Sequence, residues 1–427
     1  MKMEELYKRY SAARGISTDT RSIEEGQIFF ALKGDNFDAN NFVDEALKKG
    51  ASLVVTQNPE FKTHADCYYC ENTLETLQKL ASYHRSKLDI PVIAITGTNG
   101  KTTTKELCGT ALSCAGNTFF TQGNLNNHIG VPLSLLSVKK HHEYAIIEMG
   151  ANHIGEIEAL CKIANPDFGL ITNIGKAHLE GFGSFDGVVQ AKTELYRYIE
   201  AKNGRVFVNE DDHTLLYESE GINSVFYGRQ KYAVEEFRGE FLLSFSWQVD
   251  QETHVLNSNL TGSYNLPNFI AAIALGLYFG TSSVSINKAL SDYVPVNKRS
   301  QIQKTERNTL VVDAYNANPS SMELALGNFE TLDADTKVLI LGDMLELGKD
   351  SKKEHGDIIS KAMDLNASLN IFIGREFMQF SKDFSNAKFF NTSDEAARFL
   401  DSENLSNALV LIKGSRGIRC ENVIPSL

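Results

Sequence analysis

Residues 97–102 have the side-chain types and spacing that bind the phosphates of a nucleoside triphosphate. They read Gly-Thr-Asn-Gly-Lys-Thr and lie between an apolar segment, 92–96, and a predicted helix. Glycines allow backbone N–H groups to turn toward phosphate oxygens, and the helix N-terminus adds positive potential there. Lys101 would reach the β- and γ-phosphates, and the Thr102 hydroxyl would coordinate Mg²⁺. A chance glycine-rich turn would not account for this strand–loop–helix context.

Two further side chains with possible chemistry follow predicted strands. Glu148 ends the apolar segment 144–148, and His178 follows the segment 168–172. Ligands of parallel sheets bind at the carboxyl ends of the strands. A charge at the end of a buried strand is costly unless it interacts with a ligand. Taken alone, Glu148 could be a solvated carboxylate and His178 a surface histidine.

The predicted elements place these residues in an α/β protein. Apolar segments at 92–96, 144–148, 168–172 and 206–208 alternate with helical segments, which predicts a parallel sheet covered on both faces. Between 224 and 260 the apolar residues alternate with polar ones, which predicts an antiparallel β insertion.

We predict three domains, which comprise residues 1–85, 86–298 and 299–427. The second would contain the P-loop-type parallel sheet and its β insertion. The third has strand candidates interleaved with helices, which is typical of a Rossmann-like domain. These candidates are 309–313, 337–341, 370–373 and 408–412.

Composition excludes several classes of function. The 427 residues include 42 Lys and Arg against 54 Asp and Glu, for a net charge of −12, which argues against nucleic-acid coating and membrane-surface binding. The longest apolar stretch, 269–280, is too short to span a bilayer, and the charged N-terminus does not read as a signal peptide. We expect a cytoplasmic monomer.

Cys67 and Cys70 form a single C-x-x-C on a predicted strand, where the two thiols point to opposite faces and a structural role is favoured.

The phosphate-binding segment has isoleucine at position 95, where the general motif has its first glycine, and Gly97 supplies that glycine instead. In this form, Thr-Gly-Thr-Asn-Gly-Lys-Thr-Thr, it resembles the loop of the Mur ligases, the ATP-dependent amide-forming enzymes of peptidoglycan precursor synthesis. Folylpolyglutamate synthases share a related loop. Further segments are similar to one Mur ligase branch: 17–21, 31–39, 124–136, 148–152, 342–348 and 413–416.

The resemblance implies a ligase that uses ATP and Mg²⁺ to join D-alanyl-D-alanine to a UDP-N-acetylmuramoyl-tripeptide. The first domain would bind the UDP-sugar, the second ATP, and the third would close over the nucleotide. The implied nucleotide-binding residues are Gly97, Thr98, Asn99, Gly100, Lys101, Thr102, Thr103, Asn265, Asn268, Arg299 and Asp313. The implied substrate-binding residues are Asp19, Thr20, Arg21, Phe37, Asp38, Ala39, Asn126, Asn127, Asn316, Asn318, Lys413 and Arg416.

The resemblance also implies catalytic roles for Lys101, Glu148, His178 and Lys192, with Thr102 and the last three of these as metal ligands. Lys192 matches a lysine that related ligases carry as a carbamate, which would make it an anion able to help hold a second Mg²⁺. A solvated helix charge is the alternative for Lys192. Histidine is an unusual Mg²⁺ ligand, so the assignment of His178 depends on the resemblance.

Several of these residues have purely structural alternatives. Residues 19–21 could form a polar turn, and Asn265 or Leu266 could cap the helix that Pro267 begins. Asn316 and Asn318 are either dipeptide contacts or turn and cap residues, and Lys413 and Arg416 could be surface charges.

Three other functions remain open. Another Mur-type ligase would act at a different step, and a P-loop phosphotransferase or nucleotide-driven switch would use the same loop without joining two substrates. A catalytically silent nucleotide-binding module would have lost part of the metal set, whereas Lys101, Thr102, Glu148 and His178 are all present.

Overall fold

The computed structural model describes residues 2–237, 241–295 and 301–427, and the strands in these ranges form four β-sheets. The predicted α/β class is confirmed, with parallel pairing in three of the four sheets. Within the described ranges, no helix has the length and apolar character needed to cross a bilayer.

The first sheet is parallel and lies within the predicted first domain. Its strands, in spatial order, are β1 (Ile16–Ser17), β2 (Ile28–Phe30), β3 (Leu53–Thr56) and β4 (Cys67–Tyr69). Its helices are α1 (Met3–Ala12), α2 (Val43–Lys48) and α3 (Thr73–Arg85).

Cys67 is buried and Cys70 is partly exposed, and both are free thiols. Burial raises the pKa of the Cys67 thiol to about 11, so a reactive thiolate is disfavoured there. These observations agree with a structural role for the pair.

The central sheet has six parallel strands in the order β10-β9-β8-β5-β7-β6. These are β5 (Val92–Thr96), β6 (Thr118–Phe120), β7 (Tyr144–Glu148), β8 (Phe168–Ile171), β9 (Arg205–Asn209) and β10 (Ser224–Tyr227). The associated helices are α4 (Lys101–Leu112), α5 (Gly130–Ser137), α6 (Glu156–Ala164), α7 (Leu179–Phe182), α8 (Phe185–Ala201), α9 (His213–Glu218), α10 (Leu266–Tyr278) and α11 (Ser283–Asp292).

Strand β5 shows why this sheet is covered on both faces. Val92 and Ala94 belong to one hydrophobic core, and Ile93 and Ile95 belong to the core on the other side. Because side chains alternate between the faces of a strand, an unbroken apolar run requires helices on both faces. The loop that follows the carboxyl end of β5 is therefore the place where the chain leaves these apolar surroundings.

The predicted β insertion is smaller than expected. Strands β11 (Glu235–Phe237), β12 (Ser244–Val249) and β13 (Glu252–Asn257) form an antiparallel sheet. However, β10 lies inside the predicted insertion and pairs in parallel with β9. That part of the prediction was wrong because period-two alternation reports one buried face and not the direction of the partner strand.

The last sheet has the order β14-β15-β19-β16-β17-β18 and is parallel except for β14. The predicted strands are present as β15 (Thr309–Asp313), β16 (Lys337–Gly342), β17 (Leu369–Ile373) and β19 (Leu409–Lys413). The edge strands β14 (Gln301–Lys304) and β18 (Lys388–Phe390) were not predicted. The helices are α12 (Pro319–Thr331), α13 (Ser351–Asp364), α14 (Arg375–Met378) and α15 (Ser393–Glu403).

Short 3₁₀ helices complete the secondary structure, at Thr20–Ser22, Ala39–Phe42, Pro59–Phe61, Ser263–Asn265, Gly348–Asp350, Arg416–Ile418 and Cys420–Ser426. The three domain limits stay predictions, and the limit between 298 and 299 lies outside the described residues.

Candidate functional site

The loop between β5 and α4 has the backbone conformation that its glycines allow. Gly97 has φ +138° and Gly100 has φ +78°. A Cβ atom on Gly97 would lie 2.0 Å from Oγ1 of Thr172, which follows β8. The Thr172 hydroxyl donates to the carbonyl oxygen of Asn99 at 2.6 Å. Gly97 is therefore required both by its conformation and by the close approach of the neighbouring strand end.

Lys101 begins α4, and its ammonium group turns back onto the loop. Nζ donates to the carbonyl oxygens of Gly97 at 2.8 Å and Thr98 at 2.9 Å. The cation is thus held at the N-terminus of the helix, where backbone N–H groups and positive potential favour a phosphate.

Glu148 ends β7 and is 1% exposed. One carboxylate oxygen accepts hydrogen bonds from Thr102 Oγ1 at 3.2 Å and from Asn126 Nδ2 at 2.8 Å. The other oxygen, Oε2, has no hydrogen-bond partner among the described residues. A buried, unsatisfied carboxylate oxygen beside a hydroxyl is a suitable oxygen ligand pair for Mg²⁺. The arrangement therefore fits a cation bound between this strand end and nucleotide phosphates.

Lys105 is a residue of this site that the sequence analysis missed. It is 1% exposed, donates to the Thr121 carbonyl oxygen at 2.6 Å, and places Nζ 3.9 Å from Oε2 of Glu148. A signal was available, because Lys105 follows Lys101 by four residues and so lies on the same face of α4.

Lys192 is on α8 and is 2% exposed, so the interpretation as a solvated helix charge was wrong. Its Nζ donates to the Ala151 carbonyl oxygen at 3.4 Å and lies 5.2 Å from the centre of the Phe182 ring. In the described part of the chain, no carboxylate pairs with it. Burial, with a contribution from the charge of Lys101, lowers the pKa of Lys192 to about 7.

His178 precedes α7 in a left-handed conformation, with φ +50°. Its side chain is 24% exposed and lines the central cavity. Its Nδ1 contacts the carboxylate of Glu346, which follows β16 in the third domain. No local sequence pattern predicts this partner, because Glu346 lies 168 positions further along the chain.

Asp313 and Lys413 lie opposite each other at the ends of β15 and β19, and their side chains form an ion pair. Lys413 is 2% exposed, so its interpretation as a surface charge was wrong. It also donates to the Asn316 carbonyl oxygen at 3.4 Å. Arg416 is exposed, with its guanidinium 5.6 Å from the centre of the Tyr315 ring. Arg299, predicted to act with Asp313, lies outside the described residues.

Asn318 caps α12 and also contacts the phosphate-binding loop. Its Oδ1 accepts from the Ser321 N–H at 2.9 Å, and its Nδ2 donates to Oδ1 of Asn99 at 2.8 Å. The cap interpretation is thus correct, but the same amide links the third domain to the loop.

The predicted adenine-side residues form a buried hydrogen-bonded chain. Asn268 Nδ2 donates to Oδ1 of Asn265 at 3.0 Å, and Asn268 Oδ1 accepts from Thr104 Oγ1 at 2.9 Å. Asn265 Nδ2 donates to the Thr261 carbonyl oxygen at 2.8 Å. Asn265 is the N-cap residue of α10, as one alternative predicted, but its side chain makes no capping hydrogen bond because its amide oxygen accepts from Asn268.

Two segments of the first domain were predicted to bind substrate, and each has its own internal contacts. The Arg21 guanidinium donates to both carboxylate oxygens of Asp19 and lowers the pKa of Asp19 to about 2. Asp38 accepts from the side chain of Asn40 at 2.7 Å. Phe37 is 58% exposed. Thr20 and Ala39 are buried. None of the six predicted residues lines the central cavity.

Most of the remaining predicted residues line one cavity of about 490 Å³. The second domain contributes one wall and the third domain the other. Predicted residues in its lining are Thr98, Asn99, Gly100, Lys101, Thr102, Thr103, Asn126, Asn127, Glu148, His178, Asn265, Asn268, Asp313, Asn316, Asn318 and Lys413. Within it, Asn127 has a structural role as well, because its Oδ1 accepts from the N–H groups that begin α5.

Family models match this chain in three consecutive regions. The model described as "Mur ligase family, catalytic domain" matches residues 13–84. The "Mur ligase middle domain" matches residues 95–276, and the "Mur ligase, glutamate ligase domain" matches residues 298–416.

Curated relatives are similar over almost the whole chain. The UDP-N-acetylmuramoyl-tripeptide–D-alanyl-D-alanine ligase of Bacillus subtilis is 33% identical, covering 97% of this chain and 93% of its own length. The ligase of the same name from Haemophilus influenzae is 35% identical, covering 96% and 93%.

Two solved structures are similar in fold and sequence. A crystal structure of MurF from Acinetobacter baumannii has a TM-score of 0.88 at 31% identity, covering 100% of this chain and 98% of that chain. The MurF ligase from Thermotoga maritima in complex with ADP has a TM-score of 0.85 at 26% identity, covering 97% of each chain.

The glycine conformation predicts a specific loss of nucleotide binding. We expect Gly97→Ala to weaken nucleotide affinity by more than about tenfold, because the added Cβ would displace Thr172 and strain the loop. Gly327→Ala is the matched control, since a Cβ there would meet no atom of the described residues within 4 Å. Calorimetric titration with nucleotide measures both variants, and equal affinities would contradict the role given to Gly97.

The two contacts of Asn318 can be separated by substitution. Asn318→Ala should lower the free energy of unfolding by about 1 kcal/mol, whereas Asn318→Ser retains a capping oxygen and should change it little. Both variants lose the hydrogen bond to Asn99, so both should lower turnover by about fivefold, equivalent to about 1 kcal/mol. Denaturation and steady-state phosphate release are the measurements. Normal turnover in Asn318→Ser would show that the residue only caps the helix.

Proposed function

This chain belongs to the Mur ligase family, and from that membership and the geometry of the cavity we propose its reaction. It is an ATP-dependent ligase that joins D-alanyl-D-alanine to a UDP-N-acetylmuramoyl-tripeptide in peptidoglycan precursor synthesis. The observation that carries the proposal is the single cavity that contains both the phosphate-binding loop and Asp313, Asn316 and Lys413 of the third domain. Two reactants and a nucleotide can meet there.

The reaction requires activation of a carboxylate. The terminal carboxylate of the tripeptide attacks the γ-phosphorus of ATP, ADP leaves, and an acyl phosphate forms. The amine of D-alanyl-D-alanine attacks the acyl carbon to give a tetrahedral intermediate, which loses inorganic phosphate and a proton to leave the amide. Lys101 neutralises charge that develops on the transferred phosphoryl group.

Residues of this chain suit the other requirements of the chemistry. Glu148 and Thr102 would hold Mg²⁺, which when bound would neutralise phosphate charge and orient the phosphoryl group. Lys413 offers a buried cation for an anionic substrate group. The third domain would exclude water from the acyl phosphate, because its residues cover the loop from the opposite side.

We further propose that Lys192 is carbamylated. A buried ammonium group without a carboxylate partner is costly, and burial brings the pKa of Lys192 to about 7, so that the neutral amine that adds CO₂ is available. The carbamate would be an anion beside the cavity and would help His178 and Glu148 to hold a second Mg²⁺. A monomeric state and a cytoplasmic location remain further predictions.

Substrate dependence tests the proposed reaction. We expect phosphate release from ATP only when both UDP-N-acetylmuramoyl-tripeptide and D-alanyl-D-alanine are present, with one amide formed for each ADP. Phosphate release that needs only one of them, without amide formation, would identify a phosphotransferase or a nucleotide-driven switch instead.

Lys101→Ala should lower the rate of ligation by about 100- to 1000-fold, because a preorganised charge at the phosphoryl group is lost. The matched control is Lys79→Ala, since Lys79 is exposed and, among the described residues, forms an ion pair only with Glu75 one helical turn away. Near-normal ligation by Lys101→Ala would contradict the mechanism.

Labelled bicarbonate tests the carbamate. We expect a carbamate carbon signal by ¹³C NMR in the native protein and in Lys202→Ala, and its loss in Lys192→Ala. Ligation by Lys192→Ala should be nearly absent and should recover partly with short carboxylic acids, which restore an anion in the vacated space. A native protein that is fully active without bicarbonate and without the signal would contradict carbamylation.

A further inference from the structure

A side chain of the third domain contacts a predicted cation ligand of the second domain. The carboxylate of Glu346 lies against Nδ1 of His178. The other ring nitrogen, Nε2, makes no hydrogen bond with any residue in the described ranges. The two residues are 168 positions apart and belong to different domains, so only domain docking brings them together.

The loop that carries Glu346 is fixed immediately before this residue. The Met344 N–H donates to Nε2 of His355 at 3.0 Å, and the Leu345 N–H donates to Oγ of Ser415 at 3.0 Å. Glu346 itself has φ +65°. Because two successive N–H groups are held by side chains of other elements, the backbone that carries Glu346 is fixed to the third domain, while the Glu346 side chain itself is 55% exposed.

We propose that Glu346 is a positioning residue that holds His178 in the orientation and tautomer needed to bind the active-site cation. A carboxylate on Nδ1 keeps the proton on that nitrogen, which leaves the lone pair of Nε2 for a metal. This matters for Mg²⁺ because the ion prefers oxygen ligands and an unassisted imidazole is a poor one. The inference rests on the proposed function and adds a contribution of the third domain to it.

The contact could instead be one of several that only hold the domains together. Lys176, two residues before His178, provides a comparison: its Nζ pairs with the buried carboxylate of Glu354 at 3.3 Å, and its N–H donates to Oγ of Ser320 at 3.0 Å. This ion pair joins the same two domains without touching His178. Glu354→Gln therefore removes a docking contact and leaves the histidine alone.

The experiment is a Mn²⁺ titration of the full chain followed by electron paramagnetic resonance, in the presence of a non-hydrolysable ATP analogue. We expect Glu346→Ala to weaken the affinity for one of the bound Mn²⁺ ions by about tenfold or more. In pulsed measurements this variant should also lose the coupling between Mn²⁺ and a histidine nitrogen. Glu354→Gln should stay within about twofold of the native protein and keep the coupling. Glu346→Gln retains an acceptor oxygen and should be intermediate.

A second cycle tests whether Glu346 acts through His178. In a His178→Ala background, Glu346→Ala should cause no further loss of Mn²⁺ affinity, because the residue it positions is absent. Equal weakening by Glu346→Ala and Glu354→Gln would show that docking alone is affected and would overturn the proposal. So would unchanged Mn²⁺ binding by Glu346→Ala, or a native protein without nitrogen coupling.

These outcomes are distinct from failure of the proposed function. If the native protein forms amide from both substrates while Glu346→Ala binds Mn²⁺ normally, only the positioning role is wrong. If the native protein forms no amide, the proposed reaction is wrong, and so is the positioning role that depends on it. Unchanged affinity of each variant for the ATP analogue shows that the fold and the phosphate-binding loop are intact.

Discussion

The buried carboxylate of Glu148 is the constraint around which the site is arranged. An anion at the end of a parallel strand, 1% exposed, is stable only if its oxygens are compensated. Asn126 and Thr102 satisfy one oxygen, and Oε2 is left for a positive charge. The adjacent Lys105, 3.9 Å from Oε2, offers weak compensation at that distance. A cation bound with a nucleotide would supply the remaining positive charge beside Oε2. Nucleotide binding would therefore stabilise the end of strand β7.

The parts of the site that depend on local sequence could be predicted. The strand–loop–helix around Gly97 follows from an apolar run, two glycines and a helix start, all within a few residues of one another. Glu148 could be placed because the carboxyl ends of parallel strands meet at one edge. The edge strand β18 was missed because edge strands are short and are buried only in part, so the apolar run that marks a central strand is weak there.

The contacts between residues that are far apart in sequence could not be predicted from local patterns. Asn99 and Asn318 are 219 positions apart, and Asp313 and Lys413 are 100 apart. Each residue has an ordinary local explanation, such as a cap or a surface charge, and only the tertiary fold shows that its remaining polar atoms have distant partners. The same is true of His178, whose neighbour at Nδ1 comes from a loop of another sheet. Family resemblance identified these residues as important without showing what they contact.

The distribution of charge explains how an acidic protein can bind anionic reactants. The chain carries a net charge of −12, yet Lys105, Lys192 and Lys413 are each no more than 2% exposed. Buried ammonium groups lose hydration, and their electrostatic interactions are stronger than those of surface lysines because water screens them less. Of these three lysines, Lys413 lines the cavity, together with Lys101 at the start of α4, so phosphate and carboxylate groups that enter the cavity would interact with these two cations. Substrate binding should therefore stabilise the docked arrangement of the second and third domains, since Lys101 belongs to the second and Lys413 to the third.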